Sequence, residues 1–252
     1  MKRLLKGFYM SLGMFCAIPL PVHLWDDTCM NLMLPCFPLI GLLLGAIWWG
    51  AAELLAFCSV NVVLAAAILA IMPFLLAGFL HLDGYMDTSD AMLSRRPIEE
   101  KLQILKDPHK GAFSIVMIAV LFLLQFAAVY AIFDSGKHYM TFLFISVISR
   151  CCAAISLLHL GTIQHSGFAS AFRQNTSGSH KAFVYLLAAA AIAGSYLLIG
   201  LSGLISVLAA ILGFSGAMAY SFREFKGVSG DLAGFSLVLG ELCGLIVLGV
   251  LA

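Results

Sequence analysis

Seven stretches of about twenty mostly apolar residues constrain the fold of this chain more than any other feature. They lie at 34–57, 60–80, 112–133, 139–160, 182–199, 201–221 and 232–252. An α-helix needs about 20 residues to cross about 30 Å of hydrocarbon. Hydrophobic residues make up 62% of the chain and charged residues 11%, which is unlike a soluble domain. We therefore expect an all-α, polytopic integral membrane bundle with about seven spans, forming one transmembrane domain over residues 1–252.

The N-terminal segment is apolar but too interrupted to match a span. Basic residues precede the apolar run 7–20, and Pro19 and Pro21 end it. Such a segment fits a signal peptide, a re-entrant segment or an interfacial helix. Because no small-residue cleavage site follows cleanly, we expect a re-entrant or interfacial segment that remains in the protein.

The basic residues are segregated to one side of the predicted bundle. Seven spans place four segments on the same side, and these hold twelve of the 14 Lys and Arg residues: 1–33, 81–111, 161–181 and 222–231. Cytoplasmic loops of membrane proteins carry such an excess of Lys and Arg. The pattern predicts a multi-pass protein of the cytoplasmic membrane with these loops facing the cytoplasm.

Eleven of the 27 charged residues lie between His81 and Gly111, and this run opens with three aspartates. Asp83, Asp87 and Asp90 are four and then three residues apart, which places them on one face of a helix where their charges repel. Such a face calls for a cation. Oxygen ligands select a hard ion, and Mg²⁺ takes a carboxylate or two from protein and completes its shell with water and substrate phosphates. We therefore predict that the three aspartates bind Mg²⁺.

A short amphipathic helix is predicted over 97–108, after the acidic face. It has proline at its first position, acids in its first turn and proline just after its end. Lys101 and its acidic neighbours are expected to face water. Lys106 and Asp107 face back toward the next span, so Lys106 could hold phosphate oxygens and Asp107 could bind metal or accept a proton.

Further charged residues lie inside later spans. Asp231, Gly234 and Glu241 fall within a helix sector of about 80°. Because Glu241 follows Asp231 by ten residues, it lies inside the bilayer, where it must face protein or water. Arg150 is either the cation that pairs with these acids or a contact for an anionic substrate. The polar loop around Arg173 could cover a substrate.

In combination these motifs resemble the cobalamin synthase family, the adenosylcobinamide-GDP ribazoletransferases. The resemblance rests on PLIGLLLG (38–45), HLDGYMDTSDA (81–91), KDPHKG (106–111) and SGDLAG (229–234) followed by Glu241. It implies a single catalytic domain that transfers the adenosylcobinamide phosphate group from adenosylcobinamide-GDP to α-ribazole, or to its 5′-phosphate. GMP leaves, and the nucleotide loop of the corrinoid is completed.

The resemblance also implies the roles of individual residues. The Mg²⁺ ligands are Asp83, Asp87 and Asp90. The catalytic residues are Lys106, Asp107 and Asp231, with Asp107 or Asp231 accepting the proton. The residues implied to bind substrate are Arg150, Arg173, Glu241 and Gly111.

Other classes of membrane protein also use acidic helix faces. CDP-alcohol phosphatidyltransferases and prenyltransferases bind Mg²⁺ and a diphosphate in this way, but the further paired acidic motifs of those enzymes are absent from this sequence. A cation-coupled transporter would place its charges near the membrane midplane in repeated halves.

The expected partners are the two substrates and the lipid bilayer. No nucleic acid is expected, and a homo-oligomer or an association with other cobamide-pathway enzymes is left open.

Overall fold

The computed structural model describes residues 2–163, 171–172 and 176–252. Over these ranges the chain is a bundle of α-helices joined mostly by short loops. In chain order the helices are α1 (Lys2–Phe15), a 3₁₀ helix (Asp27–Leu32), α2 (Met33–Phe57), α3 (Val62–Leu76), α4 (Leu80–Leu93), α5 (Ile98–Ile104), α6 (Ala112–Ser135), α7 (Thr141–His159), α8 (Gly178–Ile199), α9 (Leu201–Phe225) and α10 (Gly230–Leu251).

The number of membrane spans agrees with the sequence-based expectation. Within the described ranges, six helices are long and apolar enough to cross a membrane, and α3 with α4 makes a seventh if that bent pair is one span. The six are α2, α6, α7, α8, α9 and α10. The prediction of an all-α, polytopic membrane bundle is therefore confirmed.

The predicted span at 60–80 is broken near its end. Helix α3 stops at Leu76, and α4 begins at Leu80 after a bend of 90°. Gly78 and Phe79 lie between them with φ values of 63° and 60°, a left-handed conformation that ends a right-handed helix. The amide of Ala17 donates to the carbonyl of Leu76 at 2.8 Å, which satisfies an acceptor at the break. The acidic segment therefore forms a helix of its own.

Helix α1 covers most of the segment expected to be interfacial or re-entrant. Its 14 residues fall short of the length that a span needs. It packs against α2 and the 3₁₀ helix, and Lys6 Nζ lies 3.0 Å from Asp26 Oδ2. These contacts attach α1 to the bundle at the end where α2 begins.

Helix α5 contradicts one expectation about charge. Lys101 is buried, with 7% of its surface exposed, and it forms an ion pair with Glu224 near the end of α9. The prediction that Lys101 faces water is wrong because α5 packs on α4 and α9, and a buried lysine needs a charged partner. The pair ties the surface helix to the bundle.

Helix α10 lies at the centre of the bundle, packed against α4, α6, α7 and α9. Glycines permit this close packing: a Cβ on Gly240 would lie 2.9 Å from the carbonyl oxygen of Ala210. Small residues at helix interfaces let membrane helices approach closely. This glycine therefore lets α10 pack closely against α9.

Candidate active site

The two acidic elements of the sequence meet where α4 crosses the start of α10. A Cβ on Gly84 would lie 2.8 Å from the carbonyl oxygen of Asp231, and one on Gly234 would lie 3.3 Å from Cα of His81. A glycine on each helix therefore allows the two backbones to touch. Asp231 interacts electrostatically with Asp83 and Asp87, so residues nearly 150 positions apart form one carboxylate cluster: Asp83, Asp87 and Asp231.

We expect Gly84→Ala to destabilise the protein, because the added methyl group would lie 2.8 Å from the carbonyl oxygen and 2.9 Å from Cα of Asp231, and backbone atoms yield less easily than the end of a flexible side chain. Overpacking of this kind costs about 1–3 kcal/mol. The measurement is thermal unfolding in detergent. Gly216→Ala on α9 is the matched control, since its Cβ would meet nothing within 4 Å. Equal stability of the two variants would contradict the tight contact between α4 and α10.

Lys110 supplies a positive charge to the cluster. Its Nζ lies 2.7 Å from Asp83 Oδ1 and also pairs with Asp87. The sequence pattern predicts Lys106 as the phosphate-binding lysine and indicates no role for Lys110. The signal that could have identified Lys110 is its position directly before Gly111, at the start of the next helix.

The pKa of Lys110 reflects two opposing effects. Partial burial lowers the pKa of its ammonium group, while hydrogen bonds and charge from Asp83 and Asp87 outweigh burial and raise the pKa above its ordinary value. Lys110 therefore stays positively charged at neutral pH. Among the described residues, the ammonium group of Lys110 faces the three carboxylates of Asp83, Asp87 and Asp231, which leaves an excess of negative charge in the cluster.

Asp90 has a different environment from the other two aspartates of its helix. Its side chain caps the start of α6, with Oδ2 accepting from the Gly111 amide at 2.7 Å and Oδ1 from the Ser114 amide at 2.9 Å. A Cβ on Gly111 would lie 2.6 Å from Oδ1 of Asp90, so this approach requires glycine. The structure gives Asp90 and Gly111 this capping contact, and their predicted roles in binding metal and substrate stay predictions.

Asp90→Asn separates these roles. Asparagine keeps one of the two oxygens with which Asp90 accepts from the start of α6, so it should retain part of the cap, and we expect activity to fall by less than about tenfold. The free energy of unfolding should fall by less than about 2 kcal/mol, the upper range for a helix cap. Activity and thermal unfolding are measured together, with Asp90→Ala as the variant that removes the cap. Loss of activity in a stable Asp90→Asn protein would instead favour a metal ligand.

Lys106 and Asp107 both lie in an exposed loop after α5. Asp107 Oδ1 accepts from the backbone amide of His109 at 2.9 Å and lies 2.8 Å from its ring Nδ1. The backbone amide of His109, followed by its ring, lowers the pKa of Asp107. These hydrogen bonds of Asp107 are local to its loop, and the catalytic roles of Lys106 and Asp107 stay predictions.

Arg150 and Glu241 form an ion pair inside the bundle. Arg150 Nη1 donates to Glu241 Oε1 at 3.0 Å and to Ser146 Oγ at 2.8 Å, and Ser149 Oγ donates to the same Glu241 oxygen at 2.8 Å. Only 1% of Arg150 and 6% of Glu241 is exposed. The expectation that Arg150 pairs with a buried acid is met, and contact of either residue with substrate stays a prediction. Arg173 lies outside the described residues.

A mostly apolar cavity of about 350 Å³ adjoins the carboxylate cluster. Its walls come from α1, α2, α4, α7 and α10, and Ser229, Gly230 and Asp231 form part of its lining. The strand-like contact before α10 helps to position these residues: Val228 donates to Gly161 O at 2.8 Å and accepts from Ile163 N at 3.0 Å.

The donor set of the cluster is compatible with Mg²⁺ but not with a closed metal site. Within the described part of the chain, no group of three His, Cys, Asp or Glu side chains is arranged to hold a metal ion. Mg²⁺ does not need such a cage, because one or two carboxylates with water and substrate phosphates suffice. Asp83 and Asp87, which already share one cation in Lys110 Nζ, fit that requirement.

The fold and the site define a polytopic helical membrane protein with a carboxylate and lysine cluster at one end of its bundle. A sequence model of the CobS family, described as cobalamin-5-phosphate synthase, matches residues 7–249. Because the match covers nearly the whole chain, this protein belongs to that family.

Relatives of known name agree with the family match. A protein of Clostridium botulinum (strain Alaska E43 / Type E3) named adenosylcobinamide-GDP ribazoletransferase is 40% identical over 245 residues, which cover 97% of each chain. One of the same name from Clostridium perfringens (strain ATCC 13124) is 35% identical over 254 residues, covering both chains completely. No solved structure matches the chain.

Proposed function

We propose that this protein is an adenosylcobinamide-GDP ribazoletransferase. The observation that carries the proposal is the similarity to relatives of that name along the whole chain. The structure supports it. The motifs at 81–91 and 229–234 meet in the carboxylate cluster, and Lys110, from the motif at 106–111, pairs with two of its aspartates.

The proposed reaction transfers the adenosylcobinamide phosphate group from GMP to the ribose of the acceptor. A ribose hydroxyl of α-ribazole, or of its 5′-phosphate, attacks the phosphorus next to the adenosylcobinamide. A new P–O bond forms, the P–O bond to GMP breaks, and the hydroxyl proton passes to a carboxylate. The products are GMP and adenosylcobalamin, or adenosylcobalamin 5′-phosphate when the acceptor carries that phosphate. Such a reaction depends mainly on positioning and on neutralising the charge of the diphosphate.

We assign the roles within the cluster as follows. Asp83 and Asp87 would hold Mg²⁺, which when bound neutralises the diphosphate and the leaving phosphate. Lys110 adds a fixed positive charge beside the same carboxylates. Asp231 accepts the hydroxyl proton, because it belongs both to the cluster and to the adjoining cavity. Asp107 is the alternative acceptor, and its exposed loop position makes it the weaker candidate.

The assay for this function is release of GMP by the purified protein in detergent. We expect release from adenosylcobinamide-GDP only when α-ribazole and Mg²⁺ are both present. Omission of either one is the internal control. Consumption of a CDP-activated alcohol or a prenyl diphosphate in place of adenosylcobinamide-GDP would overturn the proposal in favour of one of the other transferase classes. If the protein releases no GMP but drives sodium- or proton-coupled uptake once reconstituted into sealed vesicles, that result would favour a transporter.

We further infer that the protein lies in the cytoplasmic membrane with its active site facing the cytoplasm. The concentration of Lys and Arg in the loops at that end supports this orientation. With seven spans, Ala252 lies on the opposite side. We therefore expect alkaline phosphatase fused after Ala252 to be active in a bacterial host, and a green fluorescent protein fused there to be dark. The reverse result would contradict the orientation.

A further inference from the structure

The apolar cavity beside the carboxylate cluster has the properties of a small-molecule site. Its apolar walls include Met14, Phe15, Leu34, Phe37 and Leu157. Its volume of about 350 Å³ falls in the lower part of the 300–1,000 Å³ range of ligand pockets. Such pockets combine apolar walls with a few polar groups that orient the ligand. Here the polar groups come from Ser229 and the first residues of α10, and from His81 of α4.

One wall of the cavity is aromatic. The rings of Phe15 and Phe37 have centroids 4.5 Å apart, and His81 meets Phe37 edge-on at 5.7 Å. Each of these residues comes from a different helix, and all three line the cavity. Flat aromatic ligands bind well against such a wall, because ring faces and edges carry opposite partial charges.

The cavity and the carboxylate cluster share Asp231. This residue lines the cavity, and its backbone touches α4 at Gly84, next to Asp83. A ligand in the cavity would therefore have its apolar part among the phenylalanines and its polar part at the carboxylates. A lipid acyl chain has no polar group to place at the carboxylates.

The two substrates of the proposed reaction differ in what they could place there. Adenosylcobinamide-GDP is a large corrinoid carrying many amides and a charged nucleotide. Ribazole joins a ribose to a dimethylbenzimidazole, which is a small, flat and mostly apolar double ring. Of the two, the benzimidazole base matches the volume and the aromatic wall of the cavity.

We infer that this cavity binds the aromatic base of the ribazole acceptor and directs its ribose toward Asp231. The inference rests on the proposed function and adds to it the location of the acceptor and a physical basis for selecting its base. The cavity walls limit the size of the base, and Asp231 meets the hydroxyl group at the cavity's polar end.

Two substitutions that fill the cavity test this inference. Ala233→Leu on α10 and Ala153→Leu on α7 each add bulk to a different wall. We expect each to raise the KM for ribazole about tenfold, the lower end of what a few methyl groups change in an apolar pocket. The KM for adenosylcobinamide-GDP should stay within about twofold. The riboside of unsubstituted benzimidazole should suffer a smaller rise, since it lacks two methyl groups.

Ala190→Leu is the matched control, because Ala190 is exposed on α8 and does not line the cavity. Size-exclusion chromatography in detergent shows which variants fold. Kinetics of one folded cavity variant are enough to test the inference. A rise in the KM for adenosylcobinamide-GDP, or equal effects on the large and small bases, would overturn the inference. Normal KM values for both substrates would also overturn it, and a lipid would then be the better candidate for the cavity. If the parent protein releases no GMP at all, the proposed function itself fails, and the inference fails with it.

Discussion

Asp87→Asn is expected to reduce GMP release by about 10²- to 10³-fold while leaving the protein folded. Asp87 faces the candidate site with 13% of its side chain exposed and pairs with Lys110. Losing one group that stabilises transition-state charge has an effect of this size. Asparagine keeps the shape of the side chain and removes one charge of the predicted Mg²⁺ site. The residual activity should therefore need a higher Mg²⁺ concentration than the parent protein does.

Asp134→Asn is the matched control for this experiment. Asp134 is exposed in the last turn of α6, at the opposite end of that helix from Lys110. We expect its Mg²⁺ activation curve to coincide with that of the parent protein. Near-normal turnover in Asp87→Asn would show that the metal assignment is wrong, although the family membership would be unaffected.

Glu241→Leu is expected to destabilise the protein by about 3–5 kcal/mol, which is the usual cost of leaving one member of a buried ion pair without its partner. Among the described residues, the buried guanidinium of Arg150 would keep the two oxygens of Ser146 as its hydrogen-bond acceptors. The measurement is the thermal unfolding temperature in detergent. A variant as stable as the parent would contradict the importance of this pair for the fold.

The double variant Arg150→Met with Glu241→Leu should recover most of that stability. Replacing both members of a buried pair by apolar residues is often neutral or stabilising. Its activity then separates two roles. Normal kinetics would make the pair purely structural, whereas a folded double variant with a raised KM for adenosylcobinamide-GDP would support the predicted contact of Arg150 with substrate.

The length of the apolar stretches made most of the fold predictable. Helices α2 and α6 to α10 fall where runs of about twenty apolar residues lie, because the bilayer permits few alternatives to a helix. The break after α3 was not predictable from hydropathy. It depends on Phe79 adopting a left-handed conformation, which residues other than glycine adopt only rarely.

The site was predictable in its acids and less so in its basic residue. Helical spacing placed Asp83 and Asp87 on one face, and the structure brings Asp231 beside them. The same spacing could not distinguish Asp90 from these aspartates. Its carboxylate accepts hydrogen bonds from backbone amides at the start of α6. Nor could it favour Lys110 over Lys106, because that choice depends on how a loop of irregular backbone turns back toward α4.

The short third helix has a consequence for the surrounding lipid. With 15 residues, α3 is about 22 Å long, whereas the hydrocarbon layer is about 30 Å thick. A span shorter than the bilayer makes the membrane thin around it. We therefore expect the aqueous surface to dip toward α4, so that the aspartates are hydrated below the average headgroup level. The turnover of the protein should then depend on acyl chain length, with thin bilayers giving the faster enzyme.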